Sequence, residues 1–209
     1  MKAPTFHKYA NIFPMIQGAA FDALLEDIRT HGVREPVVFL DGEILDGRNR
    51  YKCATELGLS YPRIEYTGTD PLGFVVSHNL HRRHMTESQR AMVAAALANM
   101  PANTGVAANL QSLTSRADAA KLLKVSERSV NTAKKVLREG SPELIDAVQQ
   151  GKVSVSAAAD IATLPANEQA AISLLSEKAI LEAAKDIRTE RANKKRAIRN
   201  AGAVSPLSS

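Results

Sequence analysis

The chain is 209 residues long, 44% hydrophobic and 23% charged, the make-up of one large globular domain or two small ones. No apolar run reaches the ~18 residues of a membrane-spanning helix. The opening MKAPTFHKYANIFPMI lacks the unbroken apolar core of a secretory signal, and the single cysteine, Cys53, excludes an internal disulfide and fits a reducing cytoplasm.

The formal charge of +5 is unevenly placed. Residues 1–100 carry 11 Lys/Arg against 11 Asp/Glu, residues 101–209 carry 16 against 11, and all five histidines lie in the first half. That split predicts a neutral unit with local chemistry followed by a basic unit suited to a polyanion.

In chain order, Ala19 to Thr30 sets Leu24, Leu25 and Ile28 on one helical face, with Gly32 as the stop. Pro36 to Leu40 is β-rich, Asp41-Gly42 is a two-residue hairpin turn, and Glu43 to Leu45 should pair back. Asp46-Gly47-Arg48-Asn49-Arg50 then leads into a helix ending before Gly58, and Arg63 to Tyr66 reads as another strand. Asp70-Pro71 opens a helix that carries His78 to Arg83. Thr86 and Gln89 form a capping box for the next, which runs to about Met100. Small polar residues at 101–113 read as a linker. From Ser115 onward the pattern is helical: Ser141-Pro142 opens one helix that Gly151 closes, Ser154 or Ser156 opens another stopped by Pro165, and a last basic helix is expected from about Asn167 to Arg199.

Residues 115–139, SRADAAKLLKVSERSVNTAKKVLRE, have the pattern of a helix-turn-helix. Ser115 caps a first helix that packs through Ala119, Ala120, Leu122 and Leu123. Ser126 caps the second, and Val125 and Val130 occupy the two positions of a hydrophobic staple. Val130, Ala133, Val136 and Leu137 face inward, which leaves Arg128, Asn131, Lys134, Lys135 and Arg138 largely on the outer face. Lysine and arginine there suit phosphates, and Asn131 or Arg128 suits base edges. Lys124 stands where a glycine often relaxes such a turn.

EILDGRNRYKCATE, residues 43–56, runs a strand into a glycine and opens a helix among arginines. Gly47 permits a tight turn and close approach of a ligand. The helix start offers N–H donors and the positive end of the dipole, and Arg48 and Arg50 add forked donors for phosphate oxygens. In SHNLHRRHMT the pairs 78/82 and 79/83 are i,i+4 neighbours on one helical face. His78, His81 and His84 have spacings that allow two metal ligands per face, without an acidic or cysteine partner nearby in sequence.

ILDGRNRYKCA resembles the glycine-arginine box of the ParB/sulfiredoxin-like domain, and SHNLHRRHMT resembles the asparagine-arginine box of ParB-type partition proteins. The order of parts over about residues 10–165 is also similar. The resemblance implies an α+β ParB/sulfiredoxin-like domain at 1–100, a linker at 101–113, an all-α helix-turn-helix domain at 114–166, and a basic C-terminal helix and tail at 167–209. It further implies a cytoplasmic homodimer, nucleoid- or plasmid-associated, that binds double-stranded DNA with a role in partition or mobile-element regulation. A partner ATPase or a DNA-modifying enzyme is then expected, and no membrane. ParB-type domains bind CTP with magnesium between the two boxes. By resemblance Gly47, Arg48, Arg50 and Arg82 would hold phosphates, and Asn79 would help hold the metal. His78 stands where partition proteins usually carry a hydrolytic glutamate, so at most slow triphosphatase activity is expected. Sulfiredoxin places its catalytic cysteine inside the glycine box, where this chain has Arg48. The alternatives are a ParB-fold nuclease or nucleotide hydrolase, and an accessory DNA-binding module of a DNA-modifying enzyme.

Overall fold

The run after Pro36 forms strand β1 (Val37–Leu40), whose Val37, Val38 and Phe39 are buried. Asp41 and Gly42 follow with φ of 52° and 82°, the left-handed pair that a tight hairpin needs. Strand β2 (Glu43–Asp46) pairs back antiparallel, with a register shift between Val38 and Phe39. These features belong to a computed structural model that describes residues 3–82, 85–100 and 115–202, apart from the side chains of residues 80–82 and 201–202. The segment expected to be a linker, 101–113, lies outside the described residues.

Among those residues the fold is mixed α and β, with ten α-helices and one three-stranded sheet of order β2-β1-β3. Helix α1 (Ala19–His31) stops where the Gly32 N–H bonds the Ile28 carbonyl. Helix α2 (Arg48–Leu57) starts at Gly47 and ends on Gly58. Strand β3 (Arg63–Glu65) lies parallel to β1 and is exposed, with the Arg63 guanidinium 3.8 Å from the centre of the Phe39 ring. Residues 5–7, which carry no strand pattern, add a bridge alongside β2. Ile44 N–H donates to Thr5 O (2.8 Å) and His7 N–H to Ile44 O (3.0 Å).

Helix α3 (Pro71–Arg82) begins with Gly73 N–H donating to the Asp70 carboxylate. Helix α4 (Glu87–Leu97) has both bonds of the expected capping box, Gln89 N–H to Thr86 Oγ1 and Thr86 N–H to Gln89 Oε1. Then come α5 (Arg116–Leu122), α6 (Glu127–Glu139), α7 (Pro142–Gln149) and α8 (Val155–Ile161). Each of these four is capped by a serine hydroxyl, from Ser115, Ser126, Ser141 and Ser154 in turn, accepting a first-turn N–H. No helix among the described residues is long and apolar enough to cross a membrane.

The buried Ala91, Met92, Val93, Ala94, Ala95 and Leu97 of α4 pack against α5, α6, α7 and α8, and α4 also meets the turn at Ala10–Ile12. Gln89 Nε2 donates to Gln149 O and Val155 N–H to Ser88 Oγ, which ties the start of α4 into the same helical body. One expectation needs correction: the single last helix is two, α9 (Ala166–Ser173) and α10 (Glu177–Gly202). Ser176 supplies a helix start in mid-run, its hydroxyl accepting from Ala179 N–H and its carbonyl from Ile180 N–H. The break lets α9 pack on α7 while Ile180 and Ala184 of α10 bury against α8.

Candidate anion cleft and nucleic-acid interface

The glycine-led helix start is built by steric demand. Gly47 has φ 94° and ψ 19°, a left-handed conformation that costs an L side chain about 1–2 kcal/mol. A Cβ there would lie 3.0 Å from Arg50 Nη2 and 3.3 Å from the Val37 Cα. This end of α2 lines a cleft of about 330 Å³ together with Glu35, Asp46, His78 and Asn79 among others. Helix starts present N–H donors and a positive dipole end, here beside the carboxylates of Glu35 and Asp46.

The two sequence boxes meet at Asp46. One of its carboxylate oxygens accepts from Arg50 Nη2 at 2.9 Å, the other from Asn79 Nδ2 at 3.0 Å. Asn79 Nδ2 also donates to Val75 O within its own helix, which leaves Oδ1 as the amide's acceptor end. Arg50 reaches Glu35 with its other terminal nitrogen. Arg48 donates to Asn11 Oδ1 at 2.7 Å and to the Phe13 carbonyl, with its guanidinium 5.7 Å from the centre of the Phe6 ring. Asn49 Oδ1 accepts from Ile16 N–H. The segment from Asn11 to Ile16 thus embraces the start of α2. Sequence reasoning passed it over because its partners lie more than thirty residues away.

His78 lines the cleft, its Nδ1 bonded at 2.9 Å to Phe74 O and its ring 4.0 Å from that of Phe74. A carbonyl partner fixes the proton on Nδ1 and, in the neutral ring, the lone pair on Nε2. The side chains of Arg82, His81 and His84 lie outside the described residues. Among the described residues no three His, Cys, Asp or Glu stand together as a metal cluster. The Cys53 thiol is wholly buried, and burial, helped by the nearby Glu56 carboxylate, raises its pKa above the ordinary thiol value. A buried thiol so shifted is a poor nucleophile.

The helix-turn-helix has the packing its spacing predicts. Ala119, Ala120 and Leu123 bury against Val130, Ala133 and Val136, with Val125 partly buried on the same cluster and Leu122 and Leu137 at its margin. Lys124 takes φ 52° in the turn, the conformation a glycine would adopt without cost. Arg128, Asn131 and Arg138 are exposed. Lys134 and Lys135, expected to lie outermost, are half-buried, and Lys135 turns back to donate to Ala159 O at 3.0 Å. Arg138 pairs with Glu139, and that bond first of all holds the Glu139 carboxyl below the usual carboxylate range. Arg116, unremarked in the sequence, crosses from α5 to donate to Asn131 Oδ1 at 2.8 Å.

The class these observations define is a small α/β unit with a glycine-led helix start lining a cleft, continuous with an α-helical body that contains the α5–α6 pair. No family model and no curated protein matches the chain. Among solved structures it is similar to two crystal structures of the C-terminally truncated chromosome-partitioning protein ParB from Caulobacter crescentus. The one complexed to the centromeric parS site aligns at 18% identity over 83% of this chain and 92% of that one, with a TM-score of 0.36. The one complexed with CTP-γ-S aligns at 19% identity over 77% and 87%, with a TM-score of 0.30.

Proposed function

We propose that this chain is a ParB-type DNA-binding protein that holds duplex DNA through α6 and takes a nucleoside triphosphate at the start of α2. The observation that carries the reading is the α5–α6 pair. Its inner face is closed by alanine and valine, and its outer face presents Arg128, Asn131 and Arg138 to solvent. A helix so mounted enters the major groove by its first turns. The role that fits is partition or mobile-element regulation, as a cytoplasmic homodimer working with an ATPase or a DNA-modifying enzyme.

CTP with magnesium is the ligand that the resemblance of the two boxes implies; nothing in the residues selects the base, and the donor set suits a triphosphate. The N–H groups of the α2 start and the guanidinium groups of Arg48, Arg50 and Arg82 would hold phosphates, and Asn79 would offer Oδ1 to the metal. Binding requires Arg48 to leave Asn11 and Phe13, so the 11–16 segment must shift. Bound magnesium would offset phosphate charge beside Glu35 and Asp46. Both carboxylates are engaged with Arg50, so that arginine too must exchange a partner for the phosphate.

Fluorescence anisotropy with a labelled duplex across a salt series tests the DNA reading. Binding should weaken steeply with salt as counterions are released, and Arg128→Ala should weaken it further. Failure of the wild type to bind, or unchanged binding once residues 114–139 are removed, would overturn it. Calorimetry with CTP and magnesium on wild type and Arg48→Ala tests the ligand. Heat in the first and little in the second is expected, and no binding of any triphosphate would refute the cleft assignment.

A further inference from the structure

Base readout by an asparagine depends on which end of its amide faces the groove. Adenine is read with both ends, the oxygen accepting from N6 and the nitrogen donating to N7. Guanine presents two acceptors, O6 and N7, and asks only for donors. In this chain one end of the amide already has a protein partner. Asn131 sits in the second turn of α6 and is exposed, and its Oδ1 already accepts from Arg116 Nη1 at 2.8 Å. That bond takes one of the two lone pairs of Oδ1 and ties that end of the amide to Arg116, so the end left without a protein partner among the described residues is Nδ2, a donor, and Arg116 retains further donors beside it.

Arg116 is poorly explained as a stabiliser of α5. It is the first residue of that helix, where the dipole disfavours a cation. It is exposed, and the one side-chain bond it makes among the described residues is the bridge to Asn131. The neighbouring Asp118, which Ser115 caps, already serves the α5 start.

We propose that Arg116 is a positioning residue for sequence readout, locking Asn131 donor-outward so that the pair selects guanine over adenine. The inference rests on the reading of α5–α6 as a DNA-binding unit. Releasing the lock should return the amide oxygen to the groove and favour adenine.

The test is in vitro selection from a duplex library with a randomised window, using wild type, Arg116→Ala, Arg116→Lys and Asn131→Ala, each checked for an unchanged circular-dichroism melt. The position read by Asn131 is the one whose preference vanishes in Asn131→Ala. Wild type should favour guanine there by about tenfold, the worth of one good base contact. Arg116→Ala should switch the preference to adenine, and Arg116→Lys, which keeps a donor and the charge, should restore guanine. A uniform loss of affinity in Arg116→Ala with the same selected site would make Arg116 a phosphate contact only and overturn the proposal. So would adenine at that position in the wild type. If the wild type enriches no site at all, the DNA reading falls, and this inference with it.

Discussion

Three single residues show how backbone conformation and burial set local cost. Gly47 combines φ 94° with neighbours 3.0–3.3 Å from where a Cβ would stand. Gly47→Ala should therefore lose about 1–3 kcal/mol of stability in urea titration, and it should lose triphosphate binding because Arg50 is displaced. Lys124 is the converse, a lysine at φ 52° in an exposed turn. Lys124→Gly removes left-handed strain of about 1–2 kcal/mol and gives part of it back in chain entropy, so a net gain of about 0.5–1 kcal/mol is expected by the same titration. His7 accepts the Tyr9 N–H on Nδ1, and burial lowers its pKa despite the opposing pull of Glu43. A lowered folded-state pKa means that the unfolded chain binds the proton more readily. The contribution of His7 is present above about pH 6.5, the ordinary histidine value, and is lost as pH falls through its folded value. His7→Asn should flatten the decline in melting temperature between pH 7 and pH 5. A variant with the same decline as wild type would assign it to other groups.

Between elements, Gln169 ties the helical body together. It is 2% exposed, and its Oε1 accepts from Ser141 N–H at 2.7 Å while Nε2 donates to the carbonyls of Glu139 and Leu164. One side chain thereby satisfies the end of α6, the start of α7 and the chain leaving α8. Gln169→Leu fills similar space but orphans those groups, at about 1–3 kcal/mol for a buried unsatisfied polar group, so a loss of about 2–4 kcal/mol is expected in chemical denaturation. A loss below 1 kcal/mol would show that water replaces the amide. Nothing in the sequence ANEQAAIS marks this residue as buried, because its partners come from three other segments. The same limit hid the bridging role of Asp46, the hold of Asn11 on Arg48, and the pairing of residues 5–7 with β2. Local chemistry, by contrast, was legible. The Asp41-Gly42 turn, the Thr86/Gln89 box, the serine caps and the Val125/Val130 staple each depend on residues within a few positions of one another. The α9–α10 break was missed because its signal is one serine in a helix-forming run without glycine or proline, while Leu174 and Leu175 lie exposed at the turn.

At the scale of the whole molecule, the excess of positive charge reaches its densest point where α10 leaves the body. Ile180 and Ala184 bury against the neighbouring helices, and Arg188 and Arg191 both reach the Asp160 carboxylate, at 2.7 and 3.5 Å. Residues 191–200 are exposed throughout. Residues 193–209 carry four Lys/Arg and no Asp/Glu; within them the last turns of α10, to Gly202, are polar nearly all round, and such a helix segment gains little from the protein itself. Its charge is spent on solvent unless a polyanion lies alongside, and α6 would bring one to the same helical body. Removing residues 193–209 keeps the Asp160 pairs and the buried face of α10, so the melting temperature should be almost unchanged. Nonspecific duplex affinity should fall, and the slope of log affinity against log salt should become shallower by about 0.9 for each lost phosphate contact. The preferred site should stay the same, since α6 and Arg116 are untouched. Two measurements separate this from an assembly role: anisotropy across a salt series, and sedimentation of the truncated chain. A truncated chain that keeps the full salt slope refutes nucleic-acid contact by the arm. One that changes from dimer to monomer while its slope per protomer holds makes the arm an assembly element instead.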